Sequence, residues 1–243
     1  MTALYNSIAA LPNVAALSRL VDRVEHRGAS LPGMACFYGP SGWGKSTAAA
    51  YAANAHDCHV VQMKSAWKAG KLVRAIAAEL SIKPAHTIAD IVDQVAESLA
   101  RSGRTLMIDE ADYAATGGMI EILRDIYESA QVGVILIGEE TLPQTLKRWE
   151  RVHGRMLDWV AAKPGTPQDL DLLTPIYAPD LTIEPDLKGR IMTAAGPSIR
   201  RICVNLAAVK ERSRAVGKTR MGASDMGKVA FFDGVAPAPR RIA

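Results

Sequence analysis

Residues Gly39-Pro-Ser-Gly-Trp-Gly44-Lys45-Ser46-Thr47 set two glycines, a lysine and a hydroxyl at the spacing Gly-x-x-x-x-Gly-Lys-[Ser/Thr]. A short apolar run bounded by glycines, Gly33 to Tyr38, precedes them, and an alanine-rich helical stretch, Ser46 to His56, follows. Strand, glycine-rich turn and helix form the context in which this spacing cradles phosphates. The glycines let backbone N–H groups turn inward, and the start of the helix adds partial positive charge. Lys45 is expected to neutralise β- and γ-phosphate oxygens, and the Ser46 hydroxyl to ligate Mg²⁺. The candidate nucleotide contacts are Gly39, Pro40, Ser41, Gly42, Trp43, Gly44, Lys45, Ser46 and Thr47.

The rest of the chain repeats the alternation. His59 to Met63, Thr105 to Ile108 and Val132 to Ile137 are strand-like, and Lys71 to Ile82 and Gly118 to Gln131 are helical. Thr87-Ile-Ala-Asp90 has the spacing of a capping box and opens a helix whose Ile88, Ile91, Val92, Val95 and Leu99 share a face. Asn13 to Gly28 is a leading helix. Short apolar strands alternating with helices predict an α/β fold: a parallel sheet covered on both faces. After Met156 the pattern breaks. Five prolines between Lys163 and Asp186 predict a linker with little regular structure. Helical patterns return at Leu187 to Thr193 and Ile199 to Val216. The expected domains are an α/β body over 1–163 (1–32 the leading helix), a linker over 164–186, a helical lid over 187–216 and a basic, loose tail over 217–243.

Thr105-Leu-Met-Ile-Asp109-Glu110 supplies an acidic pair at the C-terminal end of a strand, where ligands bind in such sheets. Asp109 is expected to hold Mg²⁺ through water and Glu110 to orient and deprotonate the attacking water. That pairing favours hydrolysis over transfer of the phosphoryl group to a metabolite. A guanine-specific site calls for Asn-Lys-x-Asp, but none of Asn6, Asn13, Asn54 and Asn205 precedes a lysine. ATP is therefore the expected nucleotide.

Charge is uneven. Ser198 to Ala243 holds ten basic and three acidic residues, net +7, whereas the whole chain is +4. A weakly acidic body with a basic end points to an anionic partner, nucleic acid first. The three cysteines, Cys36, Cys58 and Cys203, form no Cys-x-x-Cys pair, which argues for reduced thiols in a cytoplasm. There is no apolar run of about 18 residues to cross a membrane, and no signal-peptide pattern at the N-terminus.

Together these motifs resemble those of AAA+ ATPases, and within them the transposition ATPases of the phage Mu B type and their relatives in Tn7-like and Tn5053-like elements. The likeness is carried by Phe37-Tyr-Gly-Pro-Ser-Gly-Trp-Gly-Lys-Ser-Thr47, Met107-Ile-Asp-Glu-Ala-Asp112, Val134-Ile-Leu-Ile-Gly-Glu-Glu-Thr-Leu142 and Ala195-Gly-Pro-Ser-Ile-Arg-Arg-Ile202. It implies a P-loop AAA+ sheet with a helical lid and an ATP-dependent ring or helical filament on double-stranded DNA. It also implies delivery of that DNA to a cognate transposase, with DNA-stimulated hydrolysis. By the same resemblance, Arg155, or second Arg151, reaches a neighbour's γ-phosphate from a helix leading to a short strand. Arg200, or its neighbour Arg201, contacts nucleotide from the lid. AAA+ proteins carry Asn, Thr or Ser after the fourth strand to help position water; here Gly138-Glu139-Glu140-Thr141 stands there, and Thr141 is the candidate. Only 38 residues precede Gly39, too few for the extra N-terminal DNA-binding domain of the Mu B protein, so DNA contact is expected from the ATPase body. Lys64, Trp67, Lys68 and Lys71 lie in the segment that the family turns toward DNA.

Two other readings stay open at this level. One is a AAA+ ATPase for another task, such as a replication loader or a secretion-linked ATPase. The other is a nucleotide-gated DNA-binding module with little turnover.

Overall fold

The computed structural model describes residues 10–236, 238 and 239. They form two units: Pro12–Ser41 with Lys45–Lys163, and Pro164 onward together with Gly42–Gly44.

The first unit opens on α1 (Pro12–Glu25), which buries Val14, Leu17, Leu20, Val21 and Val24 along one stripe. Then come β1 (Met34–Tyr38), α2 (Lys45–Ala55), β2 (His59–Gln62), α3 (Ala69–Glu79), α4 (Ile88–Ser102) and β3 (Leu106–Asp109). The unit continues with α5 (Asp112–Thr116), α6 (Ile120–Ala130), β4 (Val134–Gly138), α7 (Leu142–Leu146), α8 (Glu150–His153) and β5 (Met156–Ala161). The strands pair in the order β2-β3-β4-β1-β5, every pair parallel. β3 and β4 are buried along their whole length, as strands with helices on both faces must be. The chain runs outward from β1 to the far edge and returns strand by strand to β1's side, so β4 lies between the strand that feeds the glycine loop and the strand that ends in Asp109.

Local chemistry sets the helix ends. Thr87 Oγ1 accepts from Asp90 N at 3.1 Å and α4 stops at Gly103, φ 69°. The face expected on that helix is corrected at one residue: Ile88 is 42% exposed, while Ile91, Val95, Ala96 and Leu99 are buried. Ile88 is the first helical residue, so its side chain sits beyond the packed turns.

In the second unit, 164–186 is not the unstructured linker its prolines suggest. It holds α9 (Pro167–Tyr177) and β6 (Thr182–Ile183). Thr166 and Asp169 form a reciprocal capping box, with Asp169 Oδ2 accepting from Thr166 N at 2.7 Å. Pro167 takes a first-turn position, where its missing N–H costs nothing. α10 (Pro185–Ala195) and α11 (Ile199–Val216) follow, and β7 (Arg220–Met221) pairs in parallel with β6. The chain after Gly217 is not loose as far as it is described. Met221 and Met226 are fully buried, and Asn205 bonds both main-chain groups of Phe232, at 2.7 and 3.1 Å. Arg240 and Arg241 of the expected basic tail lie outside the described residues. Among the described residues no helix is long and apolar enough to cross a membrane.

Candidate nucleotide site

The glycine loop leaves the C-terminal end of β1. Gly42 and Gly44 have φ of +80° and +84°, the left-handed region that side chains disfavour. Gly39 is fixed by space instead: a Cβ there would stand 2.8 Å from the Ala162 Cβ beyond β5. Lys45, the first residue of α2, donates from Nζ to the carbonyls of Gly39 (2.6 Å) and Pro40 (3.0 Å), which holds the ammonium over the loop. Ser46 and Thr47 are exposed at the start of the helix. Within the second unit, Gly42 O accepts from Arg200 N at 3.0 Å, and Ser198 Oγ lies 2.7 Å from where a Gly42 Cβ would stand.

Asp109 ends β3 and is 4% exposed, its Oδ1 accepting from Glu110 N at 3.0 Å. Glu110 follows at φ +56°, a left-handed conformation costing a non-glycine residue about 1–2 kcal/mol. Its carboxyl is raised above the ordinary range by burial first, then by the negative charges of Asp109, Glu139 and Asp112; Lys45 opposes the shift. A carboxylate pushed up in this way is a stronger base than a free one. The donor set Ser46 and Asp109 is all oxygen, which suits Mg²⁺ rather than a softer metal. The glycine cradle, the cation and the acidic pair can together bind a polyphosphate and activate water beside it.

The other candidates fall in several places. Gly138, at the end of β4, has no room for a side chain: a Cβ would overlap Asp112 Oδ2 and lie 2.6 Å from Leu142 Cδ2. Thr141 is exposed at the start of α7 and makes no side-chain cap. Arg151 and Arg155 do not share the helix expected for them, and the nearby Arg148 stands outside it as well. Arg148 sits between α7 and α8, Arg151 on the four-residue α8, and Arg155 in the turn after Gly154. Trp149, at ψ 80°, breaks the run between the first two. Arg155 donates to Glu128 Oε1 from Nε (2.8 Å) and from its terminal amine (2.7 Å). Its carbonyl accepts from Met34 N, so Arg155 stands at the opposite end of β1 from the glycine loop. In the second unit Arg200 is exposed, whereas Arg201 is half-buried with its guanidinium against Gly234.

Lys64, Lys68 and Lys71 are exposed, the first two in the turn from β2 into α3 and Lys71 in the first turn of α3. Trp67 is half-buried against the core, with Lys71 Nζ 5.6 Å from its ring centroid. The turn begins beside the acidic pair, since Met63 N donates to Asp109 O at 2.9 Å. Glu128, which pairs with Arg155, and Asp112, which faces Gly138, were not singled out from the sequence. Asp112 had a signal, two residues after the acidic pair at a helix start; Glu128 had none, because its partner is 27 residues away.

A five-stranded parallel sheet of this order, with a glycine loop after β1 and an acidic pair after β3, defines the AAA+ P-loop NTPase fold. Residues 27–146 match the model of the AAA domain. Solved structures agree. Orc1 of Aeropyrum pernix, in complex with DNA, superposes with a TM-score of 0.64 at 18% identity, covering 88% of this chain and 62% of that one. Cdc6p of Pyrobaculum aerophilum gives 0.63 at 14%, covering 88% and 64%. The Holliday junction branch migration motor RuvB of Thermotoga maritima gives 0.60 at 21%, covering 89% and 67%. The chain thus spans about three-fifths to two-thirds of the length of these structures. No curated protein matches it in sequence.

Proposed function

We propose that this chain is an ATPase that assembles on double-stranded DNA in an ATP-dependent ring or filament and delivers that DNA to a transposase. The observation that carries the ATPase reading is the glycine loop after β1 with Lys45 held over it, and Asp109 with a raised Glu110 at the end of β3 in the same sheet. Backbone N–H groups of the loop and Lys45 bind the phosphates. Ser46 and, through water, Asp109 would hold Mg²⁺, which would supply charge neutralisation. Glu110 accepts the proton of the attacking water. Arg155 stands away from its own loop, so its role is across a subunit boundary, where a second cation offsets transition-state charge on a neighbour's phosphate.

Lys64, Lys68 and Lys71 contact DNA phosphates without reading sequence. The Met63–Asp109 hydrogen bond supports coupling between that turn and hydrolysis. The transposition role rests on the four motif stretches alone. A second reading, a task on DNA other than transposition, is favoured by the fold shared with Orc1 in complex with DNA and with the branch migration motor RuvB. Strand transfer by a candidate transposase, measured with and without this chain, tests the choice. Stimulation that needs ATP supports the first reading, and DNA-stimulated hydrolysis with no effect on strand transfer supports the second.

A further inference from the structure

The end of β4 lacks the polar side chain that the resemblance calls for, and the reason is steric. Gly138 is buried, and the space in front of it is taken by the carboxylate of Asp112, the first residue of α5. Asp112 Oδ2 accepts from Glu139 N at 2.8 Å. One residue earlier, Ala111 N donates to Ile137 O at 2.9 Å. Two successive residues thus fasten the turn that carries Glu110 to the neighbouring strand. Glu110 itself is in the left-handed region at φ +56°. A non-glycine residue keeps such a conformation only where its surroundings over-determine it.

We infer that Asp112 is a positioning residue for Glu110: its carboxylate fills the gap at Gly138, ties the Glu110 turn to β4 and aims the Glu110 carboxylate. This rests on the reading of Glu110 as the base. Because the contact involves no part of the glycine loop, its loss should spare nucleotide binding. A misplacement of about 1 Å at a reacting group costs up to ~10²-fold in rate.

The test is steady-state ATP hydrolysis by the full chain, with ATP binding and thermal melting measured on each variant. Asp112→Ala should lower kcat by ~10- to 100-fold and leave the KM for ATP within about twofold. Asp112→Asn, whose amide oxygen still accepts from Glu139 N, should stay much closer to wild type than Asp112→Ala, losing only the lesser share that the Asp112 charge adds to the basicity of Glu110. Gly138→Ala, which pushes the carboxylate aside, should reproduce the kcat-selective loss, and it carries the test if Asp112→Ala does not fold. In a Glu110→Gln background Asp112→Ala should cost nothing further, since the group it aims is gone. Wild-type kcat in Asp112→Ala, an Asn variant as impaired as the Ala variant, or a full additional loss in the Glu110→Gln background would each overturn the inference. Wild-type turnover by Glu110→Gln alone would remove the reading of Glu110 itself, a separate result from any of these.

Discussion

In the proposed site, nucleotide binding should depend most on Lys45, which brings the one full positive charge in the loop. Lys45→Ala should weaken ATP binding and, through it, DNA binding; a fluorescent nucleotide titration checks this, and unchanged affinity would contradict the site. Glu110→Gln differs in kind. It keeps Asp109 for Mg²⁺ and removes the base, so ATP should still bind while turnover falls by ~10²–10⁴-fold. Cys58 gives a prediction about stability. Burial, then the charge of Glu25 beside it, pushes its thiol from 9.0 up to about 12. The folded chain therefore holds this proton where the unfolded chain has lost it. Its contribution to stability is complete below pH 9, falls as pH rises toward 12, and should be missing from the alkaline melting profile of Cys58→Ala.

At the scale of elements, the sheet was legible because its strands are short, apolar and bounded by breakers, and the glycine loop names the strand before it and the helix after it. The segment 164–186 was not legible. Its prolines read as breakers, yet Pro167 falls at a first-turn position and the Thr166–Asp169 box closes the helix start. A proline's meaning depends on which turn it occupies, and spacing alone does not reveal that. Thr166→Ala should cost ~1 kcal/mol, seen as a lower denaturation midpoint with turnover largely kept. The three lysines after β2 were legible as a charged cluster, but their start beside Asp109 came only from the β2–β3 pairing. Changing Lys64, Lys68 and Lys71 together to Ala should weaken binding to every duplex alike. It should also flatten the salt dependence, since each lost phosphate contact removes roughly 0.9 from the slope. Sequence-selective loss would contradict a phosphate-contacting role.

At the scale of the molecule, Arg155 stands at the opposite end of β1 from the loop, so the role proposed for it requires a second subunit. Its place in space was hidden from the sequence, because the turn that carries it is set by the Met34 hydrogen bond and the Glu128 pair. Arg155→Ala subunits should hydrolyse poorly alone and recover when mixed with Glu110→Gln subunits, since some interfaces then pair an intact Arg155 with an intact Glu110. No recovery at any mixing ratio would contradict action across subunits. The most direct test of the whole account is the ATP hydrolysis rate of the wild-type chain with and without double-stranded DNA, beside Glu110→Gln under the same conditions. DNA should raise turnover, and Glu110→Gln should abolish it while ATP still binds. Hydrolysis indifferent to DNA, or undiminished in Glu110→Gln, would contradict it.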